Sequence, residues 1–411
     1  MLQKVRRFVG LTLAGLWRRL MFRTTFIAVS GSVGKSTCKE LIAQVLSTSF
    51  RTLSTRVGTN HFSGITRTIL RVRPWHKFAV IEIGLDRPGQ MARFARTVRP
   101  DIAVWLSVAR THQINFGDLE TTAYEKSLLV EGLRRGGIAI LNDDNPYIAS
   151  YQPPAHVRPL YFGRTARSQW MPSHASSDWP ERLSFRVTAA GAGMDVKTRL
   201  VGEHWVASVI PSLMIAEIAG IPSNIALSAI SRCDPLPMRL TPFETPTGAT
   251  ILQDEKNASI DGLIVALEVL RNATAVRRML VITDVTNSTQ PLAERLVEIG
   301  RSAADVADAA MFIGEGCELG ADAAIASGMK PDQVWTFRNT ADAASCLRRE
   351  LNAGDLVLLR GRRIDHLSRL HLQIKHDVRC WKNSCGKSIL CEQCSELTNP
   401  RKERLIPQVF H

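Results

Sequence analysis

An α/β chain of two doubly wound domains is what this sequence predicts, and three observations predict it. Short apolar runs alternate with helix-period segments from Phe26 to Asn145. A second alternation of the same kind begins at the run ATILQD (249–254) and ends at DLVLLRG (355–361). A glycine-rich turn, SGSVGKST (30–37), stands between the first apolar run and the first helical segment. Strands that alternate with helices imply mainly parallel sheets covered on both faces. A chain of 411 residues has room for two or three domains at about 150 residues each.

In the first alternation, FIAVS (26–30), FAVIEIG (78–84), DIAVWLSV (101–108) and GIAILN (137–142) read as buried strands, with helices over 35–46 and 120–133. The stretch from Pro153 to Pro180 is rich in Pro, Ser, His and Trp and weakly periodic. It reads as an excursion into short antiparallel strands, joined by SFRV (184–187) and DVKTRLV (195–201). Residues 204–230 read as two apolar helices broken near Gly220–Pro222. CDPLPMR, around Asp234–Pro237, marks a boundary. Beyond it, strands at 249–254, 277–283, 309–314 and 355–361 alternate with helices at 260–270, 291–304 and 341–351. The domains expected are a basic segment 1–23, a first domain 24–235, a second 236–375 and a cysteine-rich tail 376–411.

The turn at Gly31, Ser32, Val33, Gly34, Lys35, Ser36 and Thr37 carries the chemistry. Glycines let backbone amides turn onto phosphate oxygens, and the helix start adds free amides and its dipole. Lys35 can reach terminal phosphates and Ser36 can hold Mg²⁺. The strict pattern asks for glycine where this chain has Val29. Glu82 ends the strand FAVIE, a position suited to a second Mg²⁺ ligand; a polar strand end is the bland reading.

Lys and Arg total 52 against 38 Asp and Glu, a formal charge of +14. That excess favours anionic partners, or reflects a general Arg bias. Only 6% of residues are aromatic and no basic–aromatic interleaving occurs, which argues against nucleic acid. The start, MLQKVRRFVGLTLAGLWRRLMFR, has an apolar stretch from Phe8 to Trp17 that is shorter than the about 20 residues needed to span a bilayer. No small-residue cleavage site follows it. Lys4, Arg6, Arg7, Arg18, Arg19 and Arg23 flank Leu11, Leu13, Leu16 and Leu20. Two readings are open: a helix on an anionic membrane face, or a helix packed on the first domain.

Eight cysteines are present. Cys38, Cys233, Cys317 and Cys346 are scattered, as suits a reducing compartment. Cys380, Cys385, Cys391 and Cys394 bunch near the C-terminus. Four thiolates in so short a span suit one tetrahedral Zn²⁺ in a small knuckle, because a segment without a core often needs a metal staple. An idle or redox-sensitive cluster is the alternative.

The run from Phe26 to Asn145 resembles the central domain of the Mur ligases, most nearly their D-alanyl-D-alanine-adding branch. SGSVGKST is similar to the family's phosphate loop, VGTNHFSG (57–64) to its Asn-rich loop, and IEIG (81–84) to its metal-binding Glu strand. RTHQINFGDLETTAYEKS (110–127) resembles the segment with a metal-binding His and a carbamylated Lys. Here His112 precedes Lys126 by 14 residues. ILNDDN (140–145) resembles the segment near the adenine, which implies Asn142 beside the base. At lower quality, LVGEHWVAS (200–208) is similar to a Gly-x-His-Asn stretch, with Trp205 and Ser208 where asparagines are usual. Arg239 matches the Arg that opens the C-terminal domain and reaches the phosphates. Asp254, Asn257 and Asp261 match a stretch near the nucleotide, whereas Gln253, Lys256, Ser259 and Ile260 do not. LVLLRGRR resembles a Lys-Gly-Ser element, with Arg360 and Arg362 substituted.

The resemblance, over about residues 24–370, implies a P-loop Mur-ligase central domain followed by a smaller Rossmann-like ligase domain. It implies an ATP- and Mg²⁺-dependent enzyme joining a carboxylate acceptor to an amino acid or peptide amine through an acyl phosphate. The setting implied is cytoplasmic cell-wall or envelope polymer synthesis, with the N-terminal segment allowing contact with the inner membrane face. Lys35, Lys126, His112 and Arg239 are the implied catalytic residues. Ser36, Glu82, His112 and Lys126 are the implied Mg²⁺ set. Only about two dozen residues precede the loop, where cell-wall members carry a UDP-sugar domain, so a polyglutamate-type ligase is an alternative expectation. A phosphate-loop ATPase or switch that has lost ligation is another.

Overall fold

The computed structural model describes residues 2–110, 116–256, 259–285, 288–382, 385–387 and 389–398, with the backbone alone over 2–8. The chain divides into two compact units, meeting in sequence between Leu236 and Pro237.

The first unit opens with helix α1 (Leu2–Leu20) and continues through β1 (Thr25–Ser30), α2 (Lys35–Ser47), β2 (Thr52–Ser54), α3 (Phe62–Arg71), β3 (Phe78–Glu82), α4 (Met91–Val98), β4 (Ile102–Trp105), α5 (Leu119–Glu131) and β5 (Ile138–Asn142). A short helix α6 (Pro146–Ala149), strands β6 (Arg158–Phe162), β7 (Trp170–Ser176), β8 (Ser184–Ala189) and β9 (Ala192–Lys197), and helices α7 (Val206–Ile218) and α8 (Ser223–Ser231) complete it. Its nine strands run in the order β2-β3-β1-β4-β5-β6-β7-β8-β9. The first six are parallel, and β7, β8 and β9 pair antiparallel.

β1 lies at the centre, between β3 and β4. Its alternate residues serve two separate cores, as the period of 2 requires. Ile27 and Val29 join α2, α7 and α8 on one face. Phe26 and Ala28 join side chains of α1, α3, α4 and α5 on the other. Both faces are covered, which is why this strand reads as an unbroken apolar run.

α1 is packed on α3 and α4. Arg18 pins it: Nε donates to the Val98 carbonyl at 2.8 Å and Nη2 to the Arg99 carbonyl at 2.9 Å and to Asp101 Oδ2 at 3.0 Å. Asp101 also accepts from the Phe26 amide at 2.7 Å and pairs with Arg134. Arg18 therefore leaves the set of solvent-facing basic residues in which the sequence placed it, and Leu11 turns inward with it. No helix among the described residues is long and apolar enough to cross a membrane.

The second unit has strands β10 (Thr241–Glu244), β11 (Thr250–Asp254), β12 (Arg277–Ile282), β13 (Ala309–Ile313), β14 (Val334–Phe337) and β15 (Asp355–Arg360), in the order β10-β11-β15-β12-β13-β14. Helices α9 (Ile260–Arg271), α10 (Leu292–Val306), α11 (Cys317–Ala326), α12 (Thr340–Glu350) and α13 (Ser368–Lys375) connect and follow them. Only β10 is antiparallel to its neighbour. Ser259 caps α9 and Asn339 caps α12 through their side chains, satisfying amides that a helix start leaves open.

Candidate active site

In a parallel sheet the loops at the carboxyl ends of the strands gather on one edge, and ligand sites collect there. At that edge of the first unit stand the loop after β1, the last residue of β3 and the segment after β4. The loop is braced by that segment. The Ser32 amide donates to the Ser107 carbonyl at 2.9 Å, the Val33 amide to Ser107 Oγ at 2.9 Å, and the Ala109 amide to Ser32 Oγ at 3.0 Å. Gly34 closes the loop with φ +85°, and a Cβ there would stand 2.6 Å from Ser208 Oγ. Ser208 itself, which departs from the family's asparagine, donates to the Gly34 carbonyl at 3.3 Å.

Lys35 folds back over the loop, donating to the Gly31 and Ser32 carbonyls at 2.6 and 3.0 Å. Ser36 Oγ donates to Glu82 Oε1 at 2.9 Å. Asn60 Nδ2 donates to the same oxygen at 2.7 Å. The second oxygen, Glu82 Oε2, is buried with no hydrogen-bond partner among the described residues. A fully buried carboxylate with an orphaned oxygen beside a serine hydroxyl is the donor chemistry a hard divalent cation takes. Asn60 is a residue the sequence reading did not place in the site, although its loop VGTNHFSG was singled out. A Cβ at Gly84 would press on the Asn60 amide at 2.8 Å, so that glycine leaves room for it.

α5, capped by Asp118, delivers Lys126. The side chain is buried. Burial, with Lys35 as the second cause, holds its amine well below the usual lysine range, against the opposing pull of Glu125. A buried lysine near a second cation is driven neutral. His112 lies outside the described residues. Asn142 is buried, with Nδ2 donating to the Leu106 carbonyl at 2.8 Å and Oδ1 accepting from the Asp144 amide at 3.2 Å. Its neighbour Asn145 donates to the Val108 carbonyl at 3.0 Å and keeps a buried Oδ1 with no partner among the described residues.

In the second unit, Arg239 sits between two residues of left-handed backbone, Met238 (φ 60°) and Leu240 (φ 51°), a local strain typical of functional segments. Asp254 forms an ion pair with Arg360, whose Nη2 also donates to the Ser259 carbonyl at 3.2 Å. Arg360 is almost wholly buried. Asn257 lies outside the described residues. Next to Asp254, Glu255 accepts from the Ser368 amide at 2.9 Å. Burial pushes its carboxyl up to about 8. Nothing in the hydrophilic run QDEKN signals such a residue, because its burial comes from α13, more than a hundred positions away.

Cys380, Cys385, Cys391 and Cys394, expected to hold Zn²⁺, line one cavity together with His366. Among the described residues no three His, Cys, Asp or Glu side chains converge to hold a metal ion. Instead Cys385 and Cys391 flank the His366 ring, at 3.7 Å from Nε2 and 3.5 Å from Nδ1. Cys394 accepts from Lys387 at 3.5 Å. Burial and Arg369 hold His366 at about 4, so its ring is neutral. The spacing of the cysteines could not show that an imidazole stands beside two of them.

Comparison with known proteins follows this geometry. The Mur ligase middle domain matches residues 29–216, and the Mur ligase, glutamate ligase domain matches residues 238–363. The chain is 27% identical over 296 residues to UDP-N-acetylmuramoyl-tripeptide–D-alanyl-D-alanine ligase of Escherichia coli, covering 70% of this chain and 64% of the relative. It is 25% identical over 342 residues to the enzyme of the same name from Bacillus subtilis, covering 83% and 73%. Against the first three curated relatives, it spans 57–64% of their length. The fold is similar to that of MurF from Acinetobacter baumannii, with a TM-score of 0.79 at 21% identity, covering 90% of this chain and 80% of that one. It is also similar to MurF ligase from Thermotoga maritima in complex with ADP, with a TM-score of 0.78 at 20% identity, covering 90% and 83%. With a middle and a C-terminal Mur ligase domain in sequence and the fold of solved members, the chain belongs to the Mur ligase family.

Proposed function

We propose that the chain is an ATP-dependent ligase that joins a carboxylate to an amine through an acyl phosphate. The observation that carries this reading is Lys126, a buried amine whose ionisation is disfavoured by burial and by the loop lysine Lys35. A phosphate-loop ATPase or switch has no need of such a lysine. A neutral amine can take up CO₂, forming an N–C bond and releasing a proton, and so become a carboxylate.

In the proposed reaction the γ-phosphoryl group of ATP passes to a substrate carboxylate oxygen and ADP leaves. The substrate amine then attacks the acyl carbon, the C–O bond to phosphate breaks, and the amine sheds a proton. Charge on the transferring phosphoryl group must be neutralised and aligned. Lys35 and the amides at the start of α2 bind the phosphates. Ser36, Glu82 and carboxylated Lys126 would hold Mg²⁺, with His112 as the ligand that the family resemblance adds. Mg²⁺, when bound, supplies charge neutralisation between phosphates. Asn60 orients the Glu82 carboxylate by its hydrogen bond. Arg239, on the second unit, is a further cation that the family resemblance adds. The curated relatives act on a UDP-N-acetylmuramoyl tripeptide and D-alanyl-D-alanine, by their names. That acid–amine pair is the first to try on this chain.

One observation favours a second reading, an ATPase or switch that has lost ligation. At the position where the family carries a lysine, Arg360 is tied to Asp254 and the Ser259 carbonyl and buried. The two readings separate by ATP turnover with Mg²⁺ and bicarbonate across a panel of acids and amines. The named UDP-muramoyl and D-alanyl-D-alanine pair and glutamate acceptors belong in the panel, with products read by mass and Lys35→Ala as control. ADP release that requires one acid–amine pair, with a product lighter than the sum by one water, supports ligation. ADP release indifferent to every pair supports the switch.

A further inference from the structure

We propose that the α1 face of the first unit docks on an anionic lipid surface. Val9, Leu13, Leu16 and Leu20 project from α1 at helical spacing with 48–63% of their surface exposed, and Phe22 follows at 76%. Spacings of four, three and four residues put them on one ridge. The opposite side of the helix is spoken for. Ala14, Arg18 and Met21 are buried, and Trp17 donates to the Val72 carbonyl at 2.9 Å. The outward direction of the ridge is therefore set by the packing of α1 and by the Arg18–Asp101 pin.

The surroundings name the occupant. Large exposed aliphatics in a row mark an interaction surface, and here their neighbours are cationic. The first acidic residue of the chain is Glu40. Arg19 and Arg23 are exposed beside the ridge. The helices that cradle α1 contain no acid either. α3 exposes Arg67 and Arg71 with Leu70, followed by Trp75 and Lys77; α4 and its end expose Arg93, Arg96 and Arg99. Asp101, the acid beneath α1, is already shared by Arg18 and Arg134. An apolar ridge between two basic flanks, with an exposed Trp at the margin, matches the layered chemistry of a bilayer surface. Acyl chains take the leucines, phosphates take the arginines, and the indole sits between them. A protein partner would have to be acidic on both sides of an apolar groove, and a second copy of this chain would set arginine against arginine.

The test is sedimentation of the full chain with vesicles, without nucleotide, so that its outcome is independent of the ligase reading. Vesicles of phosphatidylcholine with roughly one third phosphatidylglycerol should bind at least about tenfold more strongly than phosphatidylcholine alone. Binding should weaken as salt is raised, because surface charges are screened. Leu16→Glu with Leu20→Glu should lower binding at least about tenfold while leaving the thermal midpoint unchanged, since both side chains already face solvent. Arg93→Glu with Arg96→Glu, on α4, should do the same without touching α1. Failure of the wild-type chain to sediment with the anionic vesicles at low salt would overturn the proposal. So would equal binding by the leucine variant. A wild-type dimer that the leucine variant converts to monomer would assign the face to a second copy instead.

Discussion

Ser36 Oγ and Asn60 Nδ2 both donate to one oxygen of Glu82, at 2.9 and 2.7 Å, and the other oxygen is buried with no partner among the described residues. Two donors on one side of a carboxylate fix its plane and aim the free oxygen. Glu82→Gln is isosteric but removes the charge and replaces one acceptor with a donor. It should weaken Mg²⁺ at least about tenfold, as changes around ligand spheres do. Mg²⁺ titration of ATP turnover reads this directly. Asn60→Ala should show a smaller shift in the same direction, and an unchanged Mg²⁺ dependence in Glu82→Gln would remove Glu82 from the metal set.

Lys126 yields a pH prediction. A lysine that is neutral when folded and charged when unfolded binds fewer protons in the folded state. Its burial therefore costs stability that is regained as pH rises from its depressed folded value towards about 10.4. Lys126→Met removes that penalty. Without bicarbonate the variant should melt above wild type at neutral pH. The difference should close as the pH approaches the ordinary lysine range. In turnover assays wild type should slow in CO₂-depleted buffer and recover with bicarbonate, whereas Lys126→Met stays inactive in both.

Gly34 separates backbone strain from crowding. At φ +85° an alanine is strained by about 1–2 kcal/mol, and its Cβ would also press on Ser208 Oγ. Gly34→Ala should weaken ATP binding by about tenfold, the equivalent of the strain. Adding Ser208→Ala relieves the crowding alone. Calorimetric titration should therefore show partial recovery in the double variant. Full recovery would mean that the hydroxyl, not the left-handed conformation, was the obstacle.

Arg18 fastens α1 to the sheet edge through three acceptors. Arg18→Met leaves the Val98 and Arg99 carbonyls without this donor and Asp101 with only Arg134 and the Phe26 amide. Breaking one side of a buried ion pair costs about 3 kcal/mol. Thermal denaturation should show that loss, and limited proteolysis should cut first within the α1 region. Proteolysis unchanged from wild type would mean that Trp17 and Met21 hold the helix without the arginine.

The elements legible in the sequence are those whose physics is local. β1, β3, β4 and β5 are unbroken apolar runs because both faces of a central parallel strand are buried, and burial on both sides leaves no polar alternation to confuse the period. The phosphate loop is legible because its glycines, lysine and serine are needed in a fixed order by backbone geometry alone. α3 and α4 were not anticipated. Their apolar residues are few and are interrupted by arginines, and each is short, so their helical state comes from packing on the sheet and on α1 rather than from pattern.

What the sequence by itself determined is the pair of alternating α/β domains, the phosphate loop with Lys35 and Ser36, and the candidate ligand Glu82. Local chemistry and chain order suffice for those, whereas Lys126 was implied only by the family resemblance. Tertiary structure alone decided that Asn60 reaches Glu82, that Lys126 is buried within electrostatic reach of Lys35, and that His366 stands between Cys385 and Cys391. It also decided that Arg18 turns inward while Leu13, Leu16 and Leu20 face out. Each of these depends on residues far apart in the chain meeting in a low-dielectric interior, where a carboxylate oxygen, an amine or a guanidinium takes its character from neighbours that no window of sequence contains.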